Sequence, residues 1–244
     1  FDVGTRPEVE GLTGILKFMG TNRIIYVAHY RGVIAALVVS NLVSSTLLLA
    51  KCVSDSSGAY LFLLWNLVLA WLPVLFASWL VYRLSSSRWL SWKNIMLTFL
   101  WVLFLPNSFY LASDLVHLRL SSQANVLFDS IMLLSFVFNG FVAGMISMFL
   151  VHRELHRRFW ASHAHGVIAI VLLAASFAIY LGRYLRWNTW DVVLNPVGLL
   201  FDVSDRVVNP GAYPQVFSTT LGFFVLLGSV YLVTWQFAQA IRKD

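Results

Sequence analysis

The stretch VLFDSIMLLSFVFNGFVAGMISMFL, residues Val126–Leu150, decides the fold class of this chain. It contains a single charged residue, Asp129, and it is longer than the about 20 mainly apolar residues that a helix needs to cross a bilayer. Such a run predicts a transmembrane helix, because a helix satisfies all of its own backbone hydrogen bonds inside lipid.

Five more apolar runs surround this one: Val33–Ala50, Ala59–Tyr82, a run from Trp92 through Pro106 to Leu111, Gly166–Leu181 and Val216–Ala238. The 244 residues are 59% hydrophobic and 11% charged, with a mean hydropathy of +0.76. Soluble domains carry about 25% charged residues, so this composition excludes a soluble enzyme and a disordered chain. We predict an all-α, polytopic integral membrane protein with about six transmembrane helices.

The loop charges predict the orientation of these helices. Twelve of the 17 Lys and Arg residues lie on the side of the two termini and of the loops at 82–93 and 151–165, and five lie on the other side. The positive-inside rule then places both termini in the cytoplasm. We predict a basic cytoplasmic segment at 1–32 and one transmembrane domain at 33–244. Because the chain starts at Phe1 without a Met, we expect an incomplete N-terminus.

Two polar stretches fall on the predicted outer face. In the first, after Pro106, four residues at steps of three, four and three form one stripe on an α-helix: Asn107, Tyr110, Asp114 and His117. Asp129 begins the next span within reach of this stripe. In the second stretch, Arg183 and Arg186 stand one turn apart where the fifth span ends, followed by Asn188 and Asp191.

A further helix is predicted between spans five and six. Asn195-Pro196 is a good N-cap and first-turn pair, and Asn209-Pro210-Gly211 ends the helix. Its polar residues, Gly198, Asp202, Asp205 and Asn209, share one face. We predict an amphipathic interfacial helix over 196–208 on the outer face, packed either on the bundle or on lipid.

Three separated motifs resemble a known family in the same order. They are PNSFYLASDLVHL at 106–118 with the acidic start of the fourth span at Phe128-Asp129, LGRYLRWNTWD at 181–191, and Asn195-Pro196. The chain resembles domain-of-unknown-function family 1361, uncharacterised predicted bacterial membrane proteins, from roughly Leu61 onward. The resemblance implies a bacterial cytoplasmic (inner) membrane protein and a shared set of outer-face residues. It implies no reaction.

The favoured hypothesis is binding, with processing as its extension, of an anionic lipid or lipid-linked group at the outer leaflet. Two guanidinium groups suit phosphate or carboxylate. In this hypothesis Arg183 and Arg186 hold the anion, and Asn107, Tyr110, Asn188 and Asp191 complete the ligand site. A catalytic version adds acid–base chemistry by a second group of residues: Asp114 and His117 as acid and base, with Asp129 as orienter.

Several alternatives remain open at this point. The arginines can instead pair with Asp114, Asp129 or Asp191 for structural reasons, in a non-catalytic subunit or assembly factor of a larger membrane complex. A transporter is a third possibility. A metal site formed by Asp114, His117 and Asp129 is weaker because the arginines repel cations. No cofactor is implied, and the expected partners are membrane lipids or other membrane subunits, without nucleic acid.

Two minor features complete the sequence expectations. The pair Gly140 and Gly144 permits a close helix contact, which we expect inside the bundle rather than at a dimer seam. His152 and His156 have the i, i+4 spacing of some zinc sites but lie among arginines, so we expect a solvated basic helix end there. The remaining pair, His163 and His165, is expected in a loop.

Overall fold

The computed structural model describes residues 32–120 and 125–241, and within these ranges the chain forms helices and no strand. The predicted basic segment at 1–32 lies outside the described residues, apart from Gly32. The chain divides into two compact units, residues 1–43 and residues 44–244. The contacts described below all lie within the second unit.

The helices follow the apolar runs of the sequence. In chain order they are α1 (Gly32–Asp55), α2 (Phe62–Leu84), α3 (Trp92–Tyr110), α4 (Val126–Arg158), α5 (Ala161–Tyr184), α6 (Asp191–Leu194), α7 (Pro196–Val208) and α8 (Pro214–Ile241). In the described ranges, all of these except α6 and α7 are long and apolar enough to cross a membrane, which makes six candidate spans. The protein is therefore a multi-pass membrane protein of the all-α class, as predicted.

The third span changes its helical form near its end. The α-helix runs through Pro106 to Tyr110, and the chain then continues as a 3-10 helix over Leu111–Leu120. A 3-10 helix has three residues per turn instead of 3.6, and stretches of this length are uncommon. Side chains beyond Leu111 therefore point in directions that a continuous α-helix would not give them.

A close contact between α3 and α4 stands just before this change. A Cβ atom on Gly144 would lie 2.5 Å from the ring of Phe109, and one on Gly140 would overlap the carbonyl oxygen of Ser108. The hydroxyl of Ser108 also donates to the carbonyl of Ala70 in α2 at 2.9 Å. The glycine pair thus forms an internal contact, as predicted, and three helices meet where the 3-10 segment begins.

The last span is attached to the bundle along one side only. Its buried residues follow a single helical stripe, and the other faces of α8 are largely exposed: Val216, Thr220, Leu227, Tyr231 and Trp235 form the stripe. An exposed apolar helix surface of this kind marks contact with lipid or with another protein. Near its N-terminus, α8 lies beside the C-terminus of α5, because Val216 packs with Tyr180 and Leu181.

The fifth span begins earlier than the sequence suggested. It starts at Ala161, so His163 and His165 lie in the first turns of α5, and the expectation that they are loop residues is wrong. The apolar run alone marked Gly166 as the beginning. Helix ends that contain histidine and serine carry no hydropathy signal, which is why the boundary was misplaced.

Candidate functional site

A buried carboxylate connects three elements at the end of the bundle that contains the C-terminus of α5. Asp114, in the 3-10 segment, is almost fully buried. The side-chain amide of Asn66 in α2 donates to its Oδ2 atom at 3.0 Å, and Nη1 of Arg183 in α5 donates to its Oδ1 atom at 3.2 Å. Both carboxylate oxygens are therefore engaged, and Asp114 holds the Arg183 guanidinium in place.

The 3-10 geometry divides the predicted polar stripe into two pairs. Asn107 and Tyr110 are on α3, whereas Asp114 and His117 are on the tighter helix, where residues three apart lie directly above each other. The imidazole of His117 packs on Phe62 of α2, with the ring centroids 5.1 Å apart. Three of the four residues predicted to share one face nevertheless contact the same region, residues 182–189 at and beyond the end of α5: Asn107, Tyr110 and Asp114.

The first pair ties α3 to the segment that follows α5. The amide of Asn107 donates to the hydroxyl of Thr189 at 2.9 Å and to the carbonyl of Phe104 at 3.0 Å. The hydroxyl of Tyr110 is 3.5 Å from the carbonyl of Gly182, a long hydrogen bond. These contacts position the end of α5, which carries Arg183.

Asp129 belongs to a different ion pair from the one the sequence suggested. Its carboxylate is fully buried at the start of α4, and its Oδ1 atom is 2.8 Å from the Nζ atom of Lys51 in α1. The same ammonium group lies 2.8 Å from Asp55, one turn further along α1. Lys51 is one of the five Lys and Arg residues that the charge count placed opposite the termini, and no partner was predicted for it. Its signal was a lysine at the end of an apolar run with an aspartate four residues later.

The other residues predicted in the second polar stretch have local roles. Arg186 is exposed and has a φ of 61°, the left-handed conformation that follows a helix end. The carboxylate of Asp191, the first residue of α6, accepts a hydrogen bond from the backbone N–H of Asn188 at 2.7 Å. The structure therefore places Arg183 at the buried site and Arg186, Asn188 and Asp191 in the connection beyond it.

An open cleft lies next to Arg183. It has a volume of about 400 Å³ and is formed by the 3-10 segment, the end of α5 and the first half of α8. Its lining combines residues that carry polar side-chain groups, Arg183, Tyr184, Ser113, Ser218 and Thr219, with residues that do not, Ala112, Val116, Gly222, Phe223 and Leu226. Arg183 thus links the buried carboxylate to the cleft.

A second polar network fixes α7 to its neighbours. The indole N–H of Trp187 donates to Asp202 at 2.7 Å, and the hydroxyl of Tyr213 donates to Asp205 at 2.6 Å. Arg206 bridges the two aspartates and lies over the Tyr213 ring. The Tyr213 hydrogen bond, followed by that of Asn209, lowers the pKa of Asp205, and the bond to Asp205 raises the pKa of Tyr213.

The histidines at the opposite end of α4 are not all solvated. His152 is fully buried, its Nδ1 atom is hydrogen-bonded to the hydroxyl of Tyr231, and its ring stacks on Trp235 at 3.9 Å. The expected solvated helix end is therefore wrong for His152, whereas His156 remains exposed. In the described parts of the chain, no group of three or more His, Cys, Asp or Glu side chains could hold a metal ion.

Comparison with known proteins adds one finding. A family model described as "Protein of unknown function (DUF1361)" matches residues 65–233, which include Asn66, Asp114, Arg183 and most of α8. No curated protein and no solved structure matches the chain.

Proposed function

The chain belongs to the family "Protein of unknown function (DUF1361)", and we propose from the geometry of the cleft that this membrane protein binds an anionic lipid or lipid-linked group. One observation carries the proposal: Arg183 is held by a buried carboxylate on one side and lines a cleft on the other. The orientation predicted from the loop charges would place this cleft at the outer leaflet.

The held guanidinium supports binding of an anion. An arginine side chain has five N–H donors in a rigid fork, and the bond to Asp114 engages Nη1. Asp114 is buried behind the guanidinium, so a phosphate in the cleft would meet the donors before it meets the carboxylate. The side chain of Arg183 is 22% exposed, which leaves part of it accessible.

The arrangement of the cleft walls supports an amphiphilic ligand. Ser218 and Thr219 stand near the N-terminus of α8, and Leu226 lies about two turns further along the helix, about 10 Å deeper. Along α8, the polar lining residues therefore precede the apolar ones in the direction in which the helix enters the membrane. A headgroup beside Arg183 would leave its hydrocarbon chain beside Gly222 and Leu226.

The contacts support binding more than catalysis. Both oxygens of Asp114 accept hydrogen bonds, and Asp129 is paired with Lys51, so the acid–base set proposed from the sequence does not assemble around one reacting group. His117 packs on an aromatic ring. We therefore propose a binding function and assign no reaction to these residues.

Filling the cleft tests the proposal without removing a charge. A Cβ atom on Gly222 would meet nothing within 4 Å, so Gly222→Leu fills the cleft and leaves the protein contacts intact. Gly228, on the same helix but outside the cleft, has equally open surroundings, and Gly228→Leu is the matched control. Native mass spectrometry of the purified protein measures retention of added phosphatidylglycerol, phosphatidylcholine or inorganic phosphate.

We expect the unmodified protein and Gly228→Leu to retain phosphatidylglycerol in preference to phosphatidylcholine, and Gly222→Leu to lose it. Equal retention by both glycine variants would refute the cleft as the site. Retention of inorganic phosphate that is unaffected by Gly222→Leu would indicate a soluble anion instead of a lipid. The double variant Asp114→Asn with Arg183→Gln removes the guanidinium without leaving a buried charge alone, and we expect it to lose phosphatidylglycerol as well.

A further inference from the structure

The polarity of α7 is the reverse of that of an amphipathic helix on a soluble protein. Its charged residues Asp202 and Arg206 face Trp187 and Tyr213 within the protein and are at most half exposed. The apolar side chains of α6 and α7 that point away from the protein are 65–77% exposed: Val193, Leu194, Val197, Leu200, Phe201, Val207 and Val208.

The two sides of α7 have different surroundings. The side of α7 that packs on α5 and α8 includes Leu199 and Val203 together with the charged residues, and its opposite side packs on nothing in the described chain. Val197, Leu200, Phe201 and Val208 fall on that outward side at helical spacing, with Ser204 among them. An apolar surface of this kind marks contact with lipid or with another protein.

The connections keep α7 at the end of the membrane spans. Six residues join Tyr184 at the end of α5 to Asp191, and five join Val208 to Pro214 at the start of α8. Six extended residues reach at most about 20 Å. Since α5 and α8 are both candidate spans, their shared end lies at one membrane surface, and α7 cannot move far from it.

We propose that the outward face of α6 and α7 inserts into the lipid bilayer, at the boundary between headgroups and acyl chains. This face is apolar and exposed, as are three residues of the adjoining part of α8: Phe217, Leu221 and Val225. It presents no charged side chain, as expected for a surface that meets acyl chains. The inward network of Asp202, Asp205 and Arg206 holds the helix in this orientation, and the proposal is independent of the Arg183 cleft.

Site-directed spin labelling of the full chain in phosphatidylcholine–phosphatidylglycerol vesicles tests the proposal. Cys52 is replaced by alanine, and a nitroxide is attached in turn to Phe201→Cys, Val225→Cys and Ser86→Cys. Val225, exposed in the middle of a span, is the reference for lipid, and Ser86, exposed in the connection between α2 and α3, is the reference for water. Power saturation compares collisions with oxygen, which concentrates in lipid, and with a water-soluble nickel complex.

We expect the oxygen-to-nickel ratio at position 201 to lie well above that at 86 and below that at 225, because the boundary of the acyl chains is shallower than the middle of a span. Frequent nickel collisions at position 201 would overturn the proposal, because the face would then be in water. Low collision rates with both reagents would overturn it as well, because the face would then be covered by protein, either a partner or a second copy of the chain. A labelled Leu200→Cys variant must agree with Phe201→Cys.

Discussion

Adding one methyl group at Gly140 should loosen the contact that positions the site. In Gly140→Ala, the new Cβ atom would overlap the carbonyl oxygen of Ser108 and lie 2.7 Å from Cδ1 of Leu111. A backbone carbonyl cannot rotate away as a side chain can, so α3 and α4 must separate. Overpacking of this kind costs about 1–3 kcal/mol. Replacing glycine by alanine within a helix raises the free energy of unfolding by about 0.5–1 kcal/mol, which offsets part of this cost.

The matched control is Gly228→Ala, at a helical glycine with nothing within 4 Å of its Cβ position. Gly228→Ala should raise the free energy of unfolding by the helical contribution of about 0.5–1 kcal/mol, because no atom overlaps the new methyl group. Because both variants gain this helical contribution, we expect their free energies of unfolding to differ by the overpacking cost of about 1–3 kcal/mol, with Gly140→Ala the less stable. Titration of the detergent-solubilised protein with dodecyl sulfate, followed by circular dichroism, measures this difference.

Equal stability of the two variants would refute the close approach of α3 to α4. The same variant also tests the link to the site, because Leu111 is the first residue of the 3-10 segment that carries Asp114 and Ser108 stands just before it. We expect Gly140→Ala to weaken retention of phosphatidylglycerol, while Gly228→Ala retains it like the unmodified protein. A destabilised variant with unchanged lipid retention would separate the helix contact from the function of the cleft.

Three further predictions concern charged and polar residues. Lys51→Met leaves the buried Asp129 unpaired and should lower the free energy of unfolding by about 3–5 kcal/mol, and adding Asp129→Leu should restore most of it; a double variant as unstable as the single one would contradict this. Arg186→Gly relieves a left-handed backbone and should raise thermal stability by about 1 kcal/mol without affecting lipid retention; a loss of stability would show that the arginine side chain has a role. The bond between Tyr213 and Asp205 lowers the pKa of the carboxyl and raises the pKa of the phenol. Its stabilising effect should therefore be present at neutral pH. It should be lost in acid below the ordinary aspartate pKa of about 4, and in alkali above the ordinary tyrosine pKa of about 10. A difference in thermal stability between the unmodified protein and Tyr213→Phe that does not change with pH would contradict that assignment.

The spans could be predicted from the sequence because hydropathy alone determines them. Apolar runs of sufficient length have few alternatives to a transmembrane helix, and six were found. The glycine pair was equally readable, since small residues at this spacing permit close helix contact. The pairing of Arg183 with Asp114 was one of several ion pairs that the sequence allowed. The sequence shows which residues are charged but does not show which of them are partners.

What the sequence could not show depends on three-dimensional neighbours. The change from α to 3-10 geometry at Leu111 leaves no clear mark in the residue pattern. The amphipathic pattern of α7 shows two faces but not which of them meets the protein. Lys51 was counted as a loop charge because it ends an apolar run, and His152 was placed at a solvated helix end because it lies among arginines. In the structure both are buried against specific partners.

The two buried polar contacts of α4 have a consequence for the bilayer that the protein fits. Asp129, bonded to Lys51, and His152, bonded to Tyr231, are 23 positions apart on one helix, which corresponds to about 35 Å along its axis. The hydrocarbon core of a bilayer is about 30 Å thick. Each contact therefore stands near one edge of the hydrocarbon, and the spacing of the two contacts sets the hydrophobic thickness that the protein fits. In a thinner bilayer α4 must tilt, and in a thicker one a charged pair must enter the acyl chains, so hydrophobic mismatch acts on both ends of the helix at once.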